Sequence, residues 1–290
     1  MNSTTCFLPI AGCLVKAEDI LGPNRSWYGI NESQNSFLEV FQRLRKVVPG
    51  LKELQSIASY SAAEINKFLA DNGFSITLSP FTDPSDFGVA SILDVLVEWL
   101  ETGSVTSVQM GKFPAVKLVP GVKIMTHDLA PNPIATIDTK SGDIVAMTAM
   151  PKPTCSEFQL LQMIHSICEK ATPARGFEGV IFPMIDYDEE IDISWLVGME
   201  CPKVEGTDQR PAHIAEAKQQ TKFKMNEKGA RVKSAAAMTM KRCCVGPRSL
   251  VIDEPFLCWI TRKDPLGLDP IFVGHFDESN WKNPGDLGDM

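Results

Sequence analysis

The chain has 290 residues, of which 44% are hydrophobic, and its formal net charge at pH 7 is −8. A chain of this length can bury a substantial core, either as one large domain or as two modest ones. The negative charge and the lack of a basic stripe in the sequence argue against a nucleic acid as a partner. No apolar run approaches the length of a membrane span, so we expect no membrane partner either.

The first residues are predicted to precede the folded domain. Residues 1–34 are interpreted as an N-terminal extension and residues 35–290 as a single domain. The apolar patch in residues 1–14 is broken by a proline and follows no positive residue, so it is a poor secretory signal and favours an exposed or packed tail. Three Asn-x-Ser/Thr sequons would carry glycans only in a secreted chain. They begin at Asn2, Asn24 and Asn31.

The cysteines indicate a reducing compartment. Their spacing does not match a zinc site, and the adjacent Cys243 and Cys244 are too close for an ordinary disulfide with each other. We therefore expect mostly free thiols, no metal and no cofactor. A cytoplasmic or non-classically exported protein is favoured over a secreted one. The eight cysteines are Cys6, Cys13, Cys155, Cys168, Cys201, Cys243, Cys244 and Cys258.

Periodicity and turn residues predict the elements of the first hundred residues. Residues 35–49 carry apolar side chains at helical spacing and are predicted to form an amphipathic helix. A second helix is predicted over residues 51–69, before an Asn-Gly stop signal. A strand is predicted over residues 74–78 and a core helix over residues 91–100.

The middle of the chain is predicted to form strands followed by a helix. Residues 105–143 read as successive strands separated by turns that contain proline, glycine and asparagine. Thr154 and Glu157 have the spacing of a capping box, which predicts that a helix begins there and covers residues 158–171.

No residue pattern indicates an enzyme. The sequence contains no nucleophile elbow, no His-Glu-x-x-His, no phosphate loop and no dinucleotide fingerprint. His127 is interpreted as a surface or turn residue and His165 as a structural one. The acidic run at residues 186–190 is interpreted as a solvated turn or a helix N-terminus rather than as a cation site. We therefore predict no catalytic residues.

Residues 224–240 combine a strand, a flexible point and an alternating run. The strand is predicted to end at Asn226, and Gly229 supplies the flexible point. After Gly229, small or apolar residues alternate with a second set that carries every charge, so the run can lie in a sheet with the first set facing inward. Because it is rich in alanine, a helix or a mobile loop is an open alternative. The first set is Ala230, Val232, Ser234, Ala236, Met238 and Met240, and the second is Arg231, Lys233, Ala235, Ala237, Thr239 and Lys241.

The sequence Asn226-Glu227-Lys228-Gly229, followed by an Ala/Ser run, resembles the hinge and reactive loop of the serpins, the fold-switching protease inhibitors. Further stretches resemble other serpin strands and helices in the correct order, so the similarity covers roughly residues 105–282. These stretches are residues 139–151, 180–183, 192–199, 254–260 and 270–274.

The resemblance implies an α+β protein with a reduced serpin-like fold, in which helices surround mixed β-sheets and a reactive-type loop is exposed at about residues 227–250. It also implies a protease inhibitor whose bait loop is cleaved and then inserts into the main sheet. In that family the cleaved bond lies near the fourteenth residue after the hinge glycine, so cleavage is expected near Cys243, with Arg242 and Cys244 as its neighbours. Arg242 would suit a trypsin-like protease, and a papain-like protease is the second candidate. The residues implied for the hinge and the insertion face are Glu227, Gly229, Ala230, Val232, Ser234, Ala236 and Met238.

A second interpretation is a non-inhibitory, serpin-derived structural or binding protein, for example a viral or accessory component with a protein assembly partner. Gln219 and Gln220 stand where the serpin family carries a His-Lys pair, and Ala230 stands where inhibitory members carry Thr or Ser. The helix that covers the main serpin sheet has no counterpart in the sequence. A sheet without its central strands would offer no gap for the loop.

Overall fold

The computed structural model describes residues 4–23, 25–203, 210–228, 248–285 and 287. Short 3₁₀ turns at Val48–Gly50 and Ser194–Leu196 accompany the main elements. The main elements are β1 (Thr4–Thr5), α1 (Phe7–Leu21), α2 (Glu32–Val47), β2 (Leu54–Ser59), α3 (Ala62–Asp71), β3 (Gly88–Leu93), β4 (Ser104–Val108), β5 (Phe113–Leu118), β6 (Val122–Thr126), β7 (Ile134–Asp138), β8 (Ile144–Ala149), α4 (Glu157–Lys170), β9 (Thr172–Pro173), β10 (Phe177–Pro183), β11 (Ile185–Ile191), β12 (Glu200–Cys201), β13 (Ala212–His213), β14 (Gln219–Met225), β15 (Arg248–Val251), β16 (Phe256–Thr261), α5 (Lys263–Leu266) and β17 (Pro270–Phe276).

The strands form two larger sheets and several two-stranded ribbons. The larger sheet has the order β1-β17-β16-β8-β7-β6-β9, and the smaller one has the order β15-β10-β5-β4. Strands β2 and β3 form one antiparallel ribbon, which we call the first ribbon, and strands β11 and β14 form the second ribbon. The short strands β12 and β13 also pair. This mixture of sheets and helices is an α+β architecture.

Helix α1 lies within the main hydrophobic core. Its residues Leu8 and Leu14 are buried, as is Phe37 of α2, and β1 pairs antiparallel with β17. Residues 4–21 are therefore a packed tail, which was one of the two interpretations of this part of the chain. The division of the chain at residue 34 stays a prediction.

The predictions of helices α2 and α4 are confirmed. Each helix is preceded by a residue whose side chain caps its first turn. The Asn31 side chain accepts a hydrogen bond from Gln34 N at 2.9 Å and caps α2. At α4 the capping box is formed by Ser156 and Gln159, not by Thr154 and Glu157 as predicted. The Ser156 hydroxyl accepts from Gln159 N while the Gln159 side chain accepts from Ser156 N, so two donors at the helix start are satisfied reciprocally.

Two predicted helices are wrong in ways that share a cause. Residues 54–59 of the predicted helix 51–69 form β2, and only its second half, from Ala62, is helical. The helix predicted over residues 91–100 is replaced by the end of β3 and an extended segment. In β3 buried residues alternate with half-buried ones, and β2 pairs with it along six residues. Pairing between distant segments overrides local helix propensity here.

Other predictions have mixed outcomes. The strands predicted over residues 105–143 are confirmed as β4 to β7, and the strand predicted to end at Asn226 is confirmed as β14. Residues 74–78 are not a strand, since they pair with no strand in the described chain. The acidic run at residues 186–190 is neither a turn nor a helix N-terminus. It lies on β11, where the Asp188 carboxylate is 3.0 Å from Lys222 Nζ of β14.

The six described cysteines form no disulfide with one another. Burial raises the pKa of the Cys6, Cys13 and Cys258 thiols to about 12, so these three stay protonated and unreactive at neutral pH. Within the described ranges, no helix has both the length and the apolar character that a membrane crossing requires.

Candidate functional site

A large cavity separates the two ribbons. It has a volume of about 1860 Å³ and is lined along its length by β3 and the extension that follows it, and by β14 up to Lys224. In the described chain β3 and β14 belong to different ribbons and do not pair with each other. Both strands therefore line the cavity in the described part of the chain, and the expectation that the sheet would offer no gap for the loop stays a prediction.

The layers around the cavity follow from the alternation of side chains along β3. Gly88, Ala90 and Ile92 point to one face, where Ala90 and Ile92 pack with Ile65 and Leu69 of α3. The opposite face lies against α1, as is shown by Gly12, where a Cβ atom would lie 2.3 Å from the Ser91 hydroxyl. The cavity is thus enclosed by α1 on one side and by α3 and the chain that follows it on the other. Helix α3 therefore covers the outer face of the first ribbon.

Residues 74–79, which we call the covering segment, connect the outer face of the first ribbon to the second ribbon. Phe74, Ile76 and Leu78 pack with the α3 and β3 cluster. The backbone of the segment is hydrogen-bonded mainly by side chains and not by a neighbouring strand. The Asn66 side chain of α3 accepts from Leu78 N at 2.7 Å and donates to Leu78 O at 3.0 Å. The other side chains project from alternate residues at and just before β14. These bonds are Ser75 N to Gln220 Oε1 (2.8 Å), Ile76 N to Gln220 Oε1 (3.4 Å), Lys218 Nζ to Thr77 O (2.7 Å) and Ser79 N to Glu216 Oε2 (2.9 Å).

The Glu216 carboxyl has a lowered pKa in this contact. Partial burial raises the pKa of the Glu216 carboxyl, but hydrogen bonds from the Ser79 N–H and from Lys218 outweigh it and hold the pKa below its usual value. The Lys218 ammonium is 2.9 Å from the Glu216 carboxylate. Glu216 is therefore ionised near neutral pH and is a strong acceptor for the covering segment.

The start of the predicted hinge is fixed by hydrogen bonds to its backbone. The Trp99 indole Nε1 donates to Asn226 O at 3.0 Å, and Gly103 N donates to Glu227 O at 2.6 Å. The Asn226 amide donates to Gly285 O at 3.1 Å, while its oxygen accepts from Lys228 N at 2.9 Å. Hydrogen bonds thus fix the backbone of residues 226–228, which follow Lys224, the last β14 residue that lines the cavity.

Gly103 is required at this junction by close approach. A Cβ atom at Gly103 would lie 2.4 Å from Val116 Cγ1 and 3.4 Å from Glu227 O. The tight contacts are with β5, where Lys117 O would lie only 3.1 Å away, so a larger side chain would shift Gly103 relative to β5 and disturb its hydrogen bond to Glu227 O. Neither Trp99 nor Gly103 was identified from the sequence as part of the site, because only the fold brings them beside Asn226 and Glu227. The sequence did place Trp99 in the core, where it is buried.

Of the predicted site residues, the structure describes Glu227 alone, which is half-buried. The reactive-site candidates and the remainder of the insertion face lie outside the described residues, and their roles stay predictions. They are Gly229, Ala230, Val232, Ser234, Ala236, Met238, Arg242, Cys243 and Cys244.

The other titratable groups serve packing. His165 Nε2 of α4 is 3.2 Å from the Asp269 carboxylate, which also forms a two-pronged pair with Arg43 of α2 at 2.7 and 2.8 Å. Burial raises the pKa of Asp269, but the hydrogen bonds from Arg43 and His165 outweigh it and bring the pKa to about 2. His127 Nδ1 accepts from Leu129 N in a turn, as its interpretation as a turn residue predicts. Among the described residues, no three His, Cys, Asp or Glu side chains are grouped as metal ligands.

Comparison with known proteins identifies the fold. No protein-family model and no curated protein matches the chain. Thyroxine-binding globulin in complex with thyroxine is 12% identical with a TM-score of 0.53, covering 97% of this chain and 93% of that one. Tengpin, a thermophilic serpin in its native state, is 11% identical with a TM-score of 0.55, covering 96% and 88%. Mouse protein-Z dependent protease inhibitor is 11% identical with a TM-score of 0.54, covering 94% and 90%. At these identities the likeness concerns the fold, and the predicted α+β, reduced serpin-like fold is confirmed.

Proposed function

We propose that this serpin-like fold acts as a protease inhibitor and not as an enzyme, with residues 229–247 as the bait. The observation that supports the proposal most directly is the cavity lined by β3 and β14, two strands that do not pair with each other in the described chain. The lining along β14 ends two residues before Asn226. A chain that leaves β14 and turns back after Lys228 would enter this space antiparallel to β14. One of the protein's structural neighbours is named as a protease inhibitor, which agrees with this assignment.

The alternation of residues 230–240 suits the two sides of the cavity. In a strand placed between β3 and β14, the set that includes Val232 and Ala236 would face α1, whose Ile10 and Leu14 line the cavity. Arg231 and Lys233 would then face the opposite side. This alternation keeps both charges away from the α1 side, and the charged set would face the α3 side, which also lines the cavity.

Insertion would release enough free energy to be useful. About ten residues gaining backbone hydrogen bonds, at about 0.5–1.5 kcal/mol each, together contribute about 10 kcal/mol. This is comparable with the whole stability of an ordinary domain. A fold that holds such a difference in reserve can deform a protease that is still attached to the cleaved loop.

The proposed partner is a trypsin-like or papain-like protease, and the proposed cleavage site is at Arg242, Cys243 or Cys244. The test is incubation of the protein with proteases of both classes, followed by a denaturing gel. An inhibitor gives a band at the summed mass that survives boiling, and mass spectrometry then locates the cleaved bond. Cleavage by both proteases without such a band would rule out the inhibitory mechanism.

Two matched variants separate insertion from simple cleavage. Ala236 belongs to the set proposed to face α1, whereas its neighbour Ala237 belongs to the outward set. We expect Ala236→Glu to be cleaved without forming the stable band, because insertion would bury an unpaired carboxylate. Ala237→Glu should form the band as the parent chain does. Equal behaviour of the two variants would contradict insertion with this face inward.

A non-inhibitory structural or binding role is the second candidate, and a specific contact favours it. Gln220, at a position where the sequence departs from the serpin pattern, holds the backbone of the covering segment at Ser75 and Ile76. This contact joins the two ribbons and would resist their separation. A scaffold that keeps its ribbons fixed would show no change in stability when its loop is cut.

A further inference from the structure

Strand β4 is an exposed edge of the four-stranded sheet. It pairs with β5 on one side, and the sheet order places no described strand on its other side. Four of its five residues are exposed, and Val105, at 66%, is among the most exposed apolar side chains. An open edge with β-branched residues is a template for pairing with another strand.

The direction of the β4 backbone groups follows from the neighbouring pairings. On β5, Pro114 O accepts from Met184 N at 2.9 Å, so the backbone groups of Pro114 point away from β4 toward the β10 side. Consecutive residues of a strand direct these groups to opposite sides, so Ala115 directs its own toward β4. Its partner there is Thr106, which therefore directs its N–H and C=O back toward β5.

Val105 and Ser107, on either side of Thr106, consequently direct their N–H and C=O groups outward. No described residue forms a hydrogen bond with these backbone groups. Two donors and two acceptors are thus aligned along the free edge, in the pattern that one side of an antiparallel ladder presents.

The charge pattern makes this edge compatible with a copy of itself. Residues 102–111 contain no charged side chain, although charges are a common protection of free strand edges. Strand β11, in contrast, carries four carboxylates in seven residues, and β15, at the other edge of the same sheet, begins with Arg248. Two β4 strands brought together would meet no like-charge repulsion, which every strongly acidic or basic edge would impose on its own copy.

We propose that β4 is a self-association site through which two copies of the chain pair antiparallel about a two-fold axis. The register that pairs all five residues places Thr106 opposite Thr106 of the partner subunit. Val105 of each subunit is then opposite residue 107 of the other subunit, and these two pairs exchange about four backbone hydrogen bonds. Symmetric dimers of this kind bury the same patch on both subunits. An interface this short produces a weak dimer, whose population rises with protein concentration.

The first test is sedimentation velocity over a wide range of protein concentration. The parent chain and Thr106→Val, which keeps the β-branched edge, should shift from monomer to dimer as concentration rises. Thr106→Lys and Thr106→Glu should each stay monomeric, because like charges would meet at the axis. An equimolar mixture of the two should form a heterodimer again, since opposite charges then face each other. Circular dichroism establishes that each variant is folded.

A second test reads the register. In the proposed pairing the two thiols introduced by Thr106→Cys lie directly opposite each other, within the distance that a disulfide allows, whereas residues 104 of the two chains are about 13 Å apart. Mild oxidation with copper phenanthroline should therefore crosslink Thr106→Cys and not Ser104→Cys. The parent chain, oxidised in the same way, measures any crosslinking through the native cysteines. A monomeric parent at all concentrations, a dimeric Thr106→Lys, or equal crosslinking of both cysteine variants would overturn the proposal.

Discussion

At the scale of single residues, the base of the hinge depends on an indole hydrogen bond. Trp99 is almost fully buried, and its Nε1 donates to the backbone oxygen of Asn226. A buried carbonyl that loses its donor costs about 1–3 kcal/mol. The indole therefore contributes both to packing and to the position of the residue at which β14 ends.

We predict that Trp99→Phe lowers the free energy of unfolding by about 1–3 kcal/mol more than Trp281→Phe does, because only the first substitution removes a hydrogen bond. Trp281 is the matched control, since it is equally buried and its Nε1 has no hydrogen-bond partner among the described residues. Urea unfolding of the two variants and the parent chain measures the difference. Equal losses would mean that the Trp99 contribution is packing alone.

At the scale of elements, the covering segment is an unusual connection between the ribbons. Its apolar side chains pack on the first ribbon and α3, while its backbone is bonded by polar side chains of α3 and of residues 216–220 at the start of the second ribbon. Side-chain partners replace the ladder that a neighbouring strand would supply. Such a segment can separate from β14 without breaking any strand pairing, so its local stability is set by a few contacts.

We predict that Gln220→Ala increases the hydrogen-exchange rates of the Ser75 and Ile76 amides roughly fivefold to tenfold, because both lose their acceptor, at about 1 kcal/mol. Gln219→Ala is the control on the opposite face of the strand, where the Gln219 side chain bonds Cys6 O at 2.8 Å. In Gln219→Ala, the ratio of the exchange rates at residues 75–76 to those in β14 should be the same as in the parent chain. Unchanged exchange in Gln220→Ala would show that Gln220 does not hold the segment.

The sequence predicted elements whose signals are local and missed those that depend on a distant partner. Helices α2 and α4 carry amphipathic spacing and their own caps, so they were predicted well. Strand β2 and the last residues of β3 were predicted to be helical, because their strand conformation depends on their mutual pairing. Residues 74–78 have the alternation of a strand, but their backbone finds side chains of residues 216–220 rather than a ladder, and nothing in the local sequence indicates that.

The candidate site was predictable only in part for the same reason. The hinge was recognised from four consecutive residues, Asn226 to Gly229, which the sequence shows directly. Trp99 and Gly103 lie more than a hundred residues away in the chain and join the hinge only through the fold. The cavity is a property of two ribbons that remain apart, and no single stretch of sequence encodes that separation.

At the scale of the whole molecule, the arrangement of layers connects the two candidate functions. Helix α1 and the α3 layer enclose a cavity that β3 and β14 line without pairing with each other in the described chain. Under the proposed function, a strand placed in this cavity would join the two ribbons into a single sheet. If that strand is supplied by the molecule's own loop, the protein is a switch. If the covering segment keeps the ribbons fixed, the same fold is a scaffold.

Cutting the loop distinguishes the two. We predict that cleavage within residues 229–247 raises the thermal unfolding midpoint by roughly 15–20 °C, because about 10 kcal/mol gained by a domain of this size corresponds to a shift of that order. Differential scanning calorimetry of cut and uncut protein measures the rise, and mass spectrometry verifies the position of the cut. Cut Ala236→Glu should show little rise, whereas cut Ala237→Glu should match the parent chain. A midpoint that does not change in the cut parent would favour the scaffold, since a released loop that stays in solvent adds no contacts to the folded state.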